Sequence, residues 1–278
     1  MKAFDLVIIG GGAAAFGAAI KANDLGARAA LINRGLPLGG TCVNVGCVPS
    51  KTLLRAAEIL HLAKHHDIPG MELEVKAFDF ATVVRDELAL VERLRREKYE
   101  TVLDGLEHVT FIDAEAHFVS ATDIVVNGEA IAARKVVLAT GSTATVASIP
   151  GLREAGYVTH IEALALKRQP DSLIVLGAGP QGLEFGQMYA RFGTQVTILQ
   201  RAPAVFPRTE PPLADRLREV LRSEGLTVVT SAVVELAPQP TTSEGPPEGA
   251  GRLAFRARRS ETPRTVAGDG CGRGPAVY

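Results

Sequence analysis

The sequence is poor in cysteine, which limits the kinds of protein it can encode. It has three cysteines in 278 residues, Cys42, Cys47 and Cys271, too few for a framework of structural disulfides. In a reducing compartment, two cysteines close in sequence are more often catalytic or metal-binding than structural. The pair of Cys42 and Cys47 is therefore the first candidate for chemistry.

Long apolar runs and an excess of one charge are also missing. No apolar run approaches the ~20 residues of a membrane-spanning helix, and the start of the chain lacks the regions of a signal peptide. The net charge of −1 gives no reason to expect nucleic acid or an anionic membrane as partner. Apolar residues make up 46% of the chain, enough for a sizeable core. We expect a soluble, cytoplasmic protein.

What the sequence does contain is two units in which a strand, a glycine turn, a helix and a second strand follow each other. This duplication predicts an α/β fold with two Rossmann-like modules of three-layer character. We expect a first domain at 1–150, a second at 151–267 and an irregular tail at 268–278. Strands are predicted at 4–9, 29–32, 109–113, 117–119, 124–126, 136–139, 173–176, 196–199, 227–230 and 252–257. Helices are predicted after each glycine turn, at 50–66, at 215–223 and around Val84, Leu88, Val91 and Leu94, and a loop is predicted at 239–251.

The first glycine turn fits the dinucleotide-binding fingerprint GxGxxG/A. Gly10 permits the tight turn, Gly12 lets a pyrophosphate approach the backbone, and Ala15 keeps the helix close to the strand. The free N–H groups at the start of the helix attract phosphate. The second strand of such a unit usually ends in an acid that binds a ribose hydroxyl, but here Asn33 is followed by Arg34. We expect this departure to weaken dinucleotide binding.

The second turn fits GxGxxG in full, with Gly177, Gly179 and Gly182. Its second strand ends in Gln200 and Arg201, where a carboxylate would favour NADH and repel a 2′-phosphate. Because Gln200 removes that repulsion and Arg201 offers a cation, we expect NADPH rather than NADH.

Four residues separate Cys42 from Cys47, slightly more than one helical turn. This spacing lets the sulfurs bond if the helix is distorted, and Gly46 and Pro49 supply the irregularity. A helix N-terminus lowers a thiol pKa, as suits a reactive thiolate. We expect no structural zinc, because a zinc site would need two more ligands. The histidines show no pairing at ligand spacing apart from the adjacent His65 and His66.

The segment from Gly39 to Lys51 reads GGTCVNVGCVPSK and resembles the active site of the pyridine nucleotide–disulfide oxidoreductases. Within that family it is most similar to the mercuric reductase branch, on Val43, Val48, Ser50 and the run 98–100. The resemblance stops near residue 267. We therefore expect a C-terminally truncated chain that is cut or out of frame from Gly268. Such a chain would lack the family's Gly-Asp motif that contacts FAD, and it would lack the dimerisation domain of this homodimeric family.

The resemblance implies FAD as a cofactor, besides NADPH, and assigns roles to residues. Cys47 would be the thiolate beside the flavin, and Cys42 the interchange thiol that meets substrate. Lys51 would lie by the flavin N5 and pair with Glu184. Further FAD contacts would come from Gly40, Thr41, Ala116, Thr140, Gly141 and Ser142, besides the first glycine turn with Asn33 and Arg34.

The activity that this resemblance implies is electron transfer from NADPH through FAD to a Cys42–Cys47 disulfide, and on to Hg(II), a soft metal suited to thiolates. Two alternatives remain open. The chain could belong to a sister enzyme that acts on a dithiol such as dihydrolipoamide, or it could be an inactive nucleotide-binding fragment. We also expect the isolated chain to bind FAD weakly and to turn over slowly.

Overall fold

The computed structural model describes residues 2–120, 123–150 and 152–234, together with three strands at 256–259, 262–265 and 276–277. The chain divides into two compact units, Met1–Lys51 with Arg85–Thr143 and Thr52–Val84 with Ala144–Tyr278. The sequence analysis assigns residues 52–84 to the first domain, whereas the contacts that these residues make assign them to the second unit. Across these described ranges, every helix is too short or too polar to cross a membrane.

A six-stranded sheet forms the centre of the first unit. Its strands lie in the order β3-β2-β1-β6-β5-β4. The first four run parallel, and β4 and β5 are antiparallel to their neighbours. Residues 29–32 are all buried, with alternate side chains in two different apolar clusters, as expected for a parallel strand covered on both faces. The bounds are β1 (Lys2–Ile9), β2 (Ala29–Asn33), β3 (Val109–Asp113), β4 (Ala116–Phe118), β5 (Asp123–Val126) and β6 (Glu129–Leu138). The sequence predicts all six strands, but β6 begins seven residues before the predicted range 136–139.

Helix α1 (Ala13–Asp24) follows β1 and packs on one face of this sheet. Ala15, Ala19 and Ala22 are buried in the same cluster as residues of β1 and β2. Their small side chains let the helix lie close to the strands. Gly26 follows the helix with φ +66°, a left-handed conformation that glycine adopts without strain.

A group of helices follows β2, between residues 40 and 104. They are α2 (Gly40–Val45), α3 (Cys47–Lys64), α4 (Phe80–Arg95), a π-helical turn (Arg96–Glu100) and α5 (Thr101–Asp104). Along α4, Val84 and Val91 are buried as predicted, but Leu88 is 44% exposed and Glu87 is fully buried. The helix predicted around these residues is present, but Leu88 does not share the buried face of Val84 and Val91. The inward face follows positions 84, 87 and 91, a spacing that a helix equally allows.

The second unit contains a five-stranded parallel sheet in the order β10-β9-β8-β14-β7. Gly186 in α8 lies so close to β9 that a Cβ there would be 2.8 Å from Ile198 Cδ1, which confirms the small-residue face of this helix. The elements are α6 (Leu152–Ala155), β7 (Tyr157–Val158), α7 (His160–Leu164), β8 (Ser172–Leu176), α8 (Pro180–Phe192), β9 (Gln195–Leu199), α9 (Pro211–Ser223) and β10 (Thr227–Val229). Helix α9 begins four residues earlier than predicted, at a proline, which the first turn of a helix accepts.

A small antiparallel sheet follows, made of β11 (Ala232–Val233), β12 (Arg256–Arg259) and β13 (Thr262–Thr265). The strand predicted at 252–257 therefore lies four residues further on at its start. The loop predicted at 239–251 lies outside the described residues. So does most of the tail predicted as irregular, but Ala276–Val277 forms a strand, β14, between β8 and β7.

Candidate active site

The first glycine turn joins β1 to α1 in the geometry that its fingerprint predicts. Gly10 has φ +124°, its N–H donates to the Ile32 carbonyl at 2.8 Å, and a Cβ there would lie 2.1 Å from the Ala139 oxygen. Only glycine fits this position. Gly12 is the N-cap of α1 and carries no side chain to cap it, so the first N–H groups of the helix are available to an anion. Ala15 is fully buried behind them.

Several residues predicted to contact FAD lie beside this turn, whereas Ala116 lies on the edge strand of the sheet. The Asn33 side chain lies against Gly11, where a Cβ would be 2.6 Å from Asn33 Cγ, and its Nδ2 donates to the Leu36 carbonyl at 2.9 Å. Arg34 is exposed. The exposed residues 140–142 follow β6 directly beside Gly10. Ala116 begins β4 three residues after Asp113, which pairs with Asn33 in the sheet.

The segment that carries the cysteines rests directly on this turn. The N–H of Gly39 donates to the Gly11 carbonyl at 2.7 Å. A Cβ on Gly40 would lie 2.7 Å from the Cα of Gly12. Gly39 and Gly40 have φ of +95° and +59°, so both favour glycine. The structure thus brings Gly40 and the exposed Thr41 to the phosphate-binding turn.

Cys42 and Cys47 lie on two successive helices rather than on one distorted helix. Helix α2 ends at Val45, Gly46 interrupts the helix with φ −134° and ψ −110°, and Cys47 is the first residue of α3. The prediction that Gly46 supplies the irregularity is confirmed. Pro49 instead lies in the first turn of α3, where a proline is tolerated.

Among the described residues, both thiols are free and exposed. The pKa of Cys42 is raised, first by its side-chain hydrogen bond with Cys47, then by burial and by the charge of Cys47, while a backbone hydrogen bond from Cys47 opposes the rise. The two sulfurs are therefore neighbours, and Cys42 holds its proton more tightly than an isolated thiol would. Such a pair can form a disulfide, or can bind one soft cation between two sulfurs.

Asn44, which the sequence analysis did not single out, holds the segment in shape. Its Nδ2 lies 3.1, 3.0 and 2.8 Å from the carbonyl oxygens of Pro37, Leu38 and Gly40. Its Oδ1 accepts from Arg95 Nη1 at 3.3 Å, and Arg95 Nε lies 3.4 Å from a carboxylate oxygen of Glu100. Asn44 therefore ties the glycine loop to α2 and to the end of α4.

Tyr99 faces the same segment from the π-helical turn. Its ring packs edge-on against Phe16, with centroids 4.9 Å apart, and lies 2.9 Å from where a Cβ of Gly39 would be. Burial raises the Tyr99 pKa, and the charges of Cys42 and Cys47 raise it further. The phenol therefore lies beside the thiols. The sequence noted Tyr99 only within the resemblance at 98–100.

Lys51 and Glu184, the predicted pair beside the flavin, belong to different units. Lys51 is exposed on α3, and Glu184 is half-buried on the second turn of α8. Their pairing stays a prediction.

The second glycine turn repeats the geometry of the first. Gly177 has φ +111°, and its N–H donates to the Leu199 carbonyl at 2.8 Å. Gly179 is the N-cap of α8, and a Cβ there would meet no described atom within 4 Å. A Cβ on Gly182 would lie 2.1 Å from the Gly177 oxygen. The turn therefore leaves an open backbone cradle in front of a helix N-terminus, which suits a phosphate.

Of the two residues predicted to select NADPH, only one is available at the surface. Gln200 is 9% exposed, and its Nε2 is turned back to the Ala204 carbonyl at 3.4 Å. Arg201 is exposed. The predicted cation, Arg201, is therefore accessible, whereas the Gln200 side chain makes its hydrogen bond within the loop that follows β9.

Comparison with known proteins agrees with this geometry. The family model described as "Pyridine nucleotide-disulphide oxidoreductase" matches residues 4–248, and the chain belongs to that family. Mercuric reductase of Bacillus cereus is 42% identical over 238 residues, covering 85% of this chain and 37% of the relative. Mercuric reductase of Staphylococcus aureus is also 42% identical, covering 85% of this chain and 43% of the relative. The chain thus spans less than half the length of these two relatives.

Solved structures show the same fold. The HOCl-induced flavoprotein disulfide reductase RclA of Escherichia coli is 27% identical, with a TM-score of 0.78, and covers 99% of this chain and 56% of its own. A Cu(II) complex of the same reductase has a TM-score of 0.78 at 26% identity, covering 100% of this chain and 56% of its own. The predicted α/β fold with Rossmann-type modules is confirmed.

Proposed function

We propose that this chain is part of an oxidoreductase that passes electron pairs from NADPH, through FAD, to the Cys42–Cys47 pair and on to Hg(II). The observation that carries the proposal is the contact between the first glycine turn and the segment that carries the two thiols, made by Gly39 and Gly40. The relatives at 42% identity, both mercuric reductases, favour Hg(II) over an organic disulfide. We further propose that it acts in the cytoplasm.

The first glycine turn fits FAD. Gly12 presents an uncapped helix N-terminus to a pyrophosphate, and Asn33 stands where a ribose hydroxyl would accept or donate a hydrogen bond. Bound FAD would supply two-electron chemistry, taking a hydride from a nicotinamide and giving an electron pair to sulfur. Cys47, at the start of α3, would receive that pair.

The second turn fits the nicotinamide dinucleotide, with the open cradle at Gly179 for the pyrophosphate. An exposed Arg201 at the end of β9 favours the 2′-phosphate of NADPH. Arg201→Ala should therefore lower the preference for NADPH over NADH by about tenfold, corresponding to ~1.4 kcal/mol.

The thiols would hold the metal between them. Two electrons and two protons convert the disulfide to two thiols. Hg(II) then displaces both protons and forms two S–Hg bonds, and a second electron pair releases Hg(0) and regenerates the thiolates. The net reaction consumes NADPH and Hg(II) and yields NADP⁺, H⁺ and Hg(0). Tyr99, whose pKa the charges of both cysteines raise, is near enough for its phenol to influence the charge on the sulfurs.

The test is Hg(II)-dependent oxidation of NADPH by the chain supplied with excess FAD, with trapping of Hg(0). We expect slow turnover that Cys42→Ser and Cys47→Ser each abolish and that Cys271→Ser leaves intact. Counting NADPH-generated thiols in the same samples reports delivery of electrons to the pair, whatever the turnover. Preferential turnover of dihydrolipoamide, or Hg(0) production that survives Cys47→Ser, would contradict the proposal.

A further inference from the structure

A second group of potential metal ligands lies near the C-terminal end of α3, about four helical turns beyond Cys47. His61 lies in the last turn of α3, and His65, four residues later, is the first residue after the helix ends at Lys64. Their rings are stacked with centroids 4.5 Å apart and an interplanar angle of 18°. The sequence analysis overlooked this pair.

The hydrogen bond that His65 makes determines which of its nitrogens is free. His65 Nδ1 lies 3.1 Å from the His61 carbonyl oxygen. Because a carbonyl only accepts, Nδ1 must carry the hydrogen, and the lone pair of the neutral ring is on Nε2. Histidines that bind metals commonly donate their other N–H to a backbone carbonyl in this way. His65 is exposed, so Nε2 is open to an ion from solvent.

His61 is also suited to binding a cation. Burial lowers its pKa, against an opposing effect of Glu224, so the ring is neutral near pH 7 and has a lone pair to offer. Its Nε2 lies 4.0 Å from Glu224 Oε1, too far for a hydrogen bond. That carboxylate is held by Arg191 through two contacts of 2.8 Å and by Gln187 at 2.9 Å. Glu224 therefore balances the charge of Arg191 and is not counted as a ligand.

We propose that His61 and His65 form a two-imidazole binding site for a divalent transition metal of the Cu(II) and Zn(II) class, separate from the thiol pair. Imidazole suits these ions, and Cu(II) binds nitrogen ligands most tightly among the first-row divalent metals. Among the described residues, no group of three or more histidine, cysteine or carboxylate side chains is arranged to hold a metal ion, so only the two imidazoles are counted as protein ligands. Water would complete the coordination. Because the rings are stacked with an interplanar angle of 18°, binding of one ion would require the rings to turn until their lone pairs converge.

The test measures Cu(II) binding to the full chain with Cys42, Cys47 and Cys271 replaced by serine, so that no thiol competes. We expect saturable binding of one ion per chain, with an electron paramagnetic resonance spectrum that shows two nitrogen ligands. Binding should weaken in acid, because protons compete with the metal ion for the imidazole nitrogens. This readout is independent of the proposed oxidoreductase activity.

The variants separate this site from adventitious binding. In the serine background, His65→Ala should weaken Cu(II) binding about tenfold or more, since loss of even an outer partner of a metal ligand costs ~10–100-fold. His61→Ala should do the same, and because His65 is exposed its variant tests the site even if His61→Ala folds poorly. His108→Ala and His117→Ala, at exposed sites in the first unit, should have no effect. Equal losses in all four variants, or no loss in His65→Ala, would overturn the proposal.

Discussion

Glu87 makes the stability of this protein depend on pH in a way that can be calculated. Its side chain is fully buried on α4, and among the described residues neither carboxylate oxygen has a hydrogen-bond partner. Burial raises the pKa of Glu87 from 4.5 to about 7, because desolvation disfavours the charged form. The folded protein must therefore either bind a proton at this position or bury a charge.

The sign follows from the direction of the shift. A carboxyl whose pKa is higher in the folded than in the unfolded chain destabilises the fold as the pH rises through the interval between the two values. For Glu87 that interval runs from 4.5 to about 7, and the difference corresponds to about 3 kcal/mol at ~1.36 kcal/mol per pH unit. The same linkage gives a cost of only about 1.4 kcal/mol at pH 5.5.

Glu87→Gln removes the ionisation and keeps the shape of the side chain. Relative to the wild type, the variant should therefore gain about 2 kcal/mol more at pH 8.5 than at pH 5.5. Urea unfolding at both pH values measures this difference, and Asp86→Asn, at the exposed neighbouring position, is the matched control. A Glu87→Gln effect of equal size at both pH values would refute the burial argument, since a buried amide changes stability independently of pH.

Three further predictions concern the segment around the thiols. Cys47→Ser should lower the pKa of the Cys42 thiol, because the hydrogen bond and charge of Cys47 help to raise it. The rate of alkylation of Cys42 should then increase at a lower pH than in the wild type. An alkylation rate with an unshifted pH dependence would contradict this. Gly39→Ala should lower the free energy of unfolding by at least ~2 kcal/mol, because a Cβ would overlap side chains at 2.3 and 2.9 Å. Gly35→Ala, with the same φ of +95° and open space, should cost only ~1 kcal/mol in parallel urea titrations. Asn44→Ala should cost ~2 kcal/mol, because its amide lies within hydrogen-bond distance of three carbonyls; calorimetric unfolding unchanged from the wild type would show that water replaces those bonds.

The strands and the two glycine turns could be predicted from the sequence because their determinants are local. An apolar run that ends in glycine predicts the backbone reversal at Gly10 and at Gly177, and both have the positive φ that the fingerprint requires. The small residues that follow each turn predict the close approach of the helix. The family resemblance rests on the same local segments. The family model that matches residues 4–248 confirms it.

The parts that escaped prediction depend on contacts between segments far apart in sequence. Asn44 and Arg95 are 51 residues apart, and neither residue type by itself predicts a structural role. Glu87 lies inward on α4 although a carboxylate is normally assigned to the solvent face. No periodicity distinguishes the stripe through 87 from the one through Leu88, since both fit a helix face. Only the packing of the folded unit decides between them.

The thiol segment and the phosphate-binding turn are best understood as one structural element. Gly40 approaches Gly12 so closely that a Cβ would lie 2.7 Å from its Cα, and Gly39 donates to the Gly11 carbonyl. Any shift of the first turn must therefore move the start of α2, and with it Cys42. Glycine at position 40 is then required by the first glycine turn as much as by the cysteine segment. If a pyrophosphate binds at Gly12, as we propose, it would hold both segments, and the position of Cys42 would depend on the backbone of that turn.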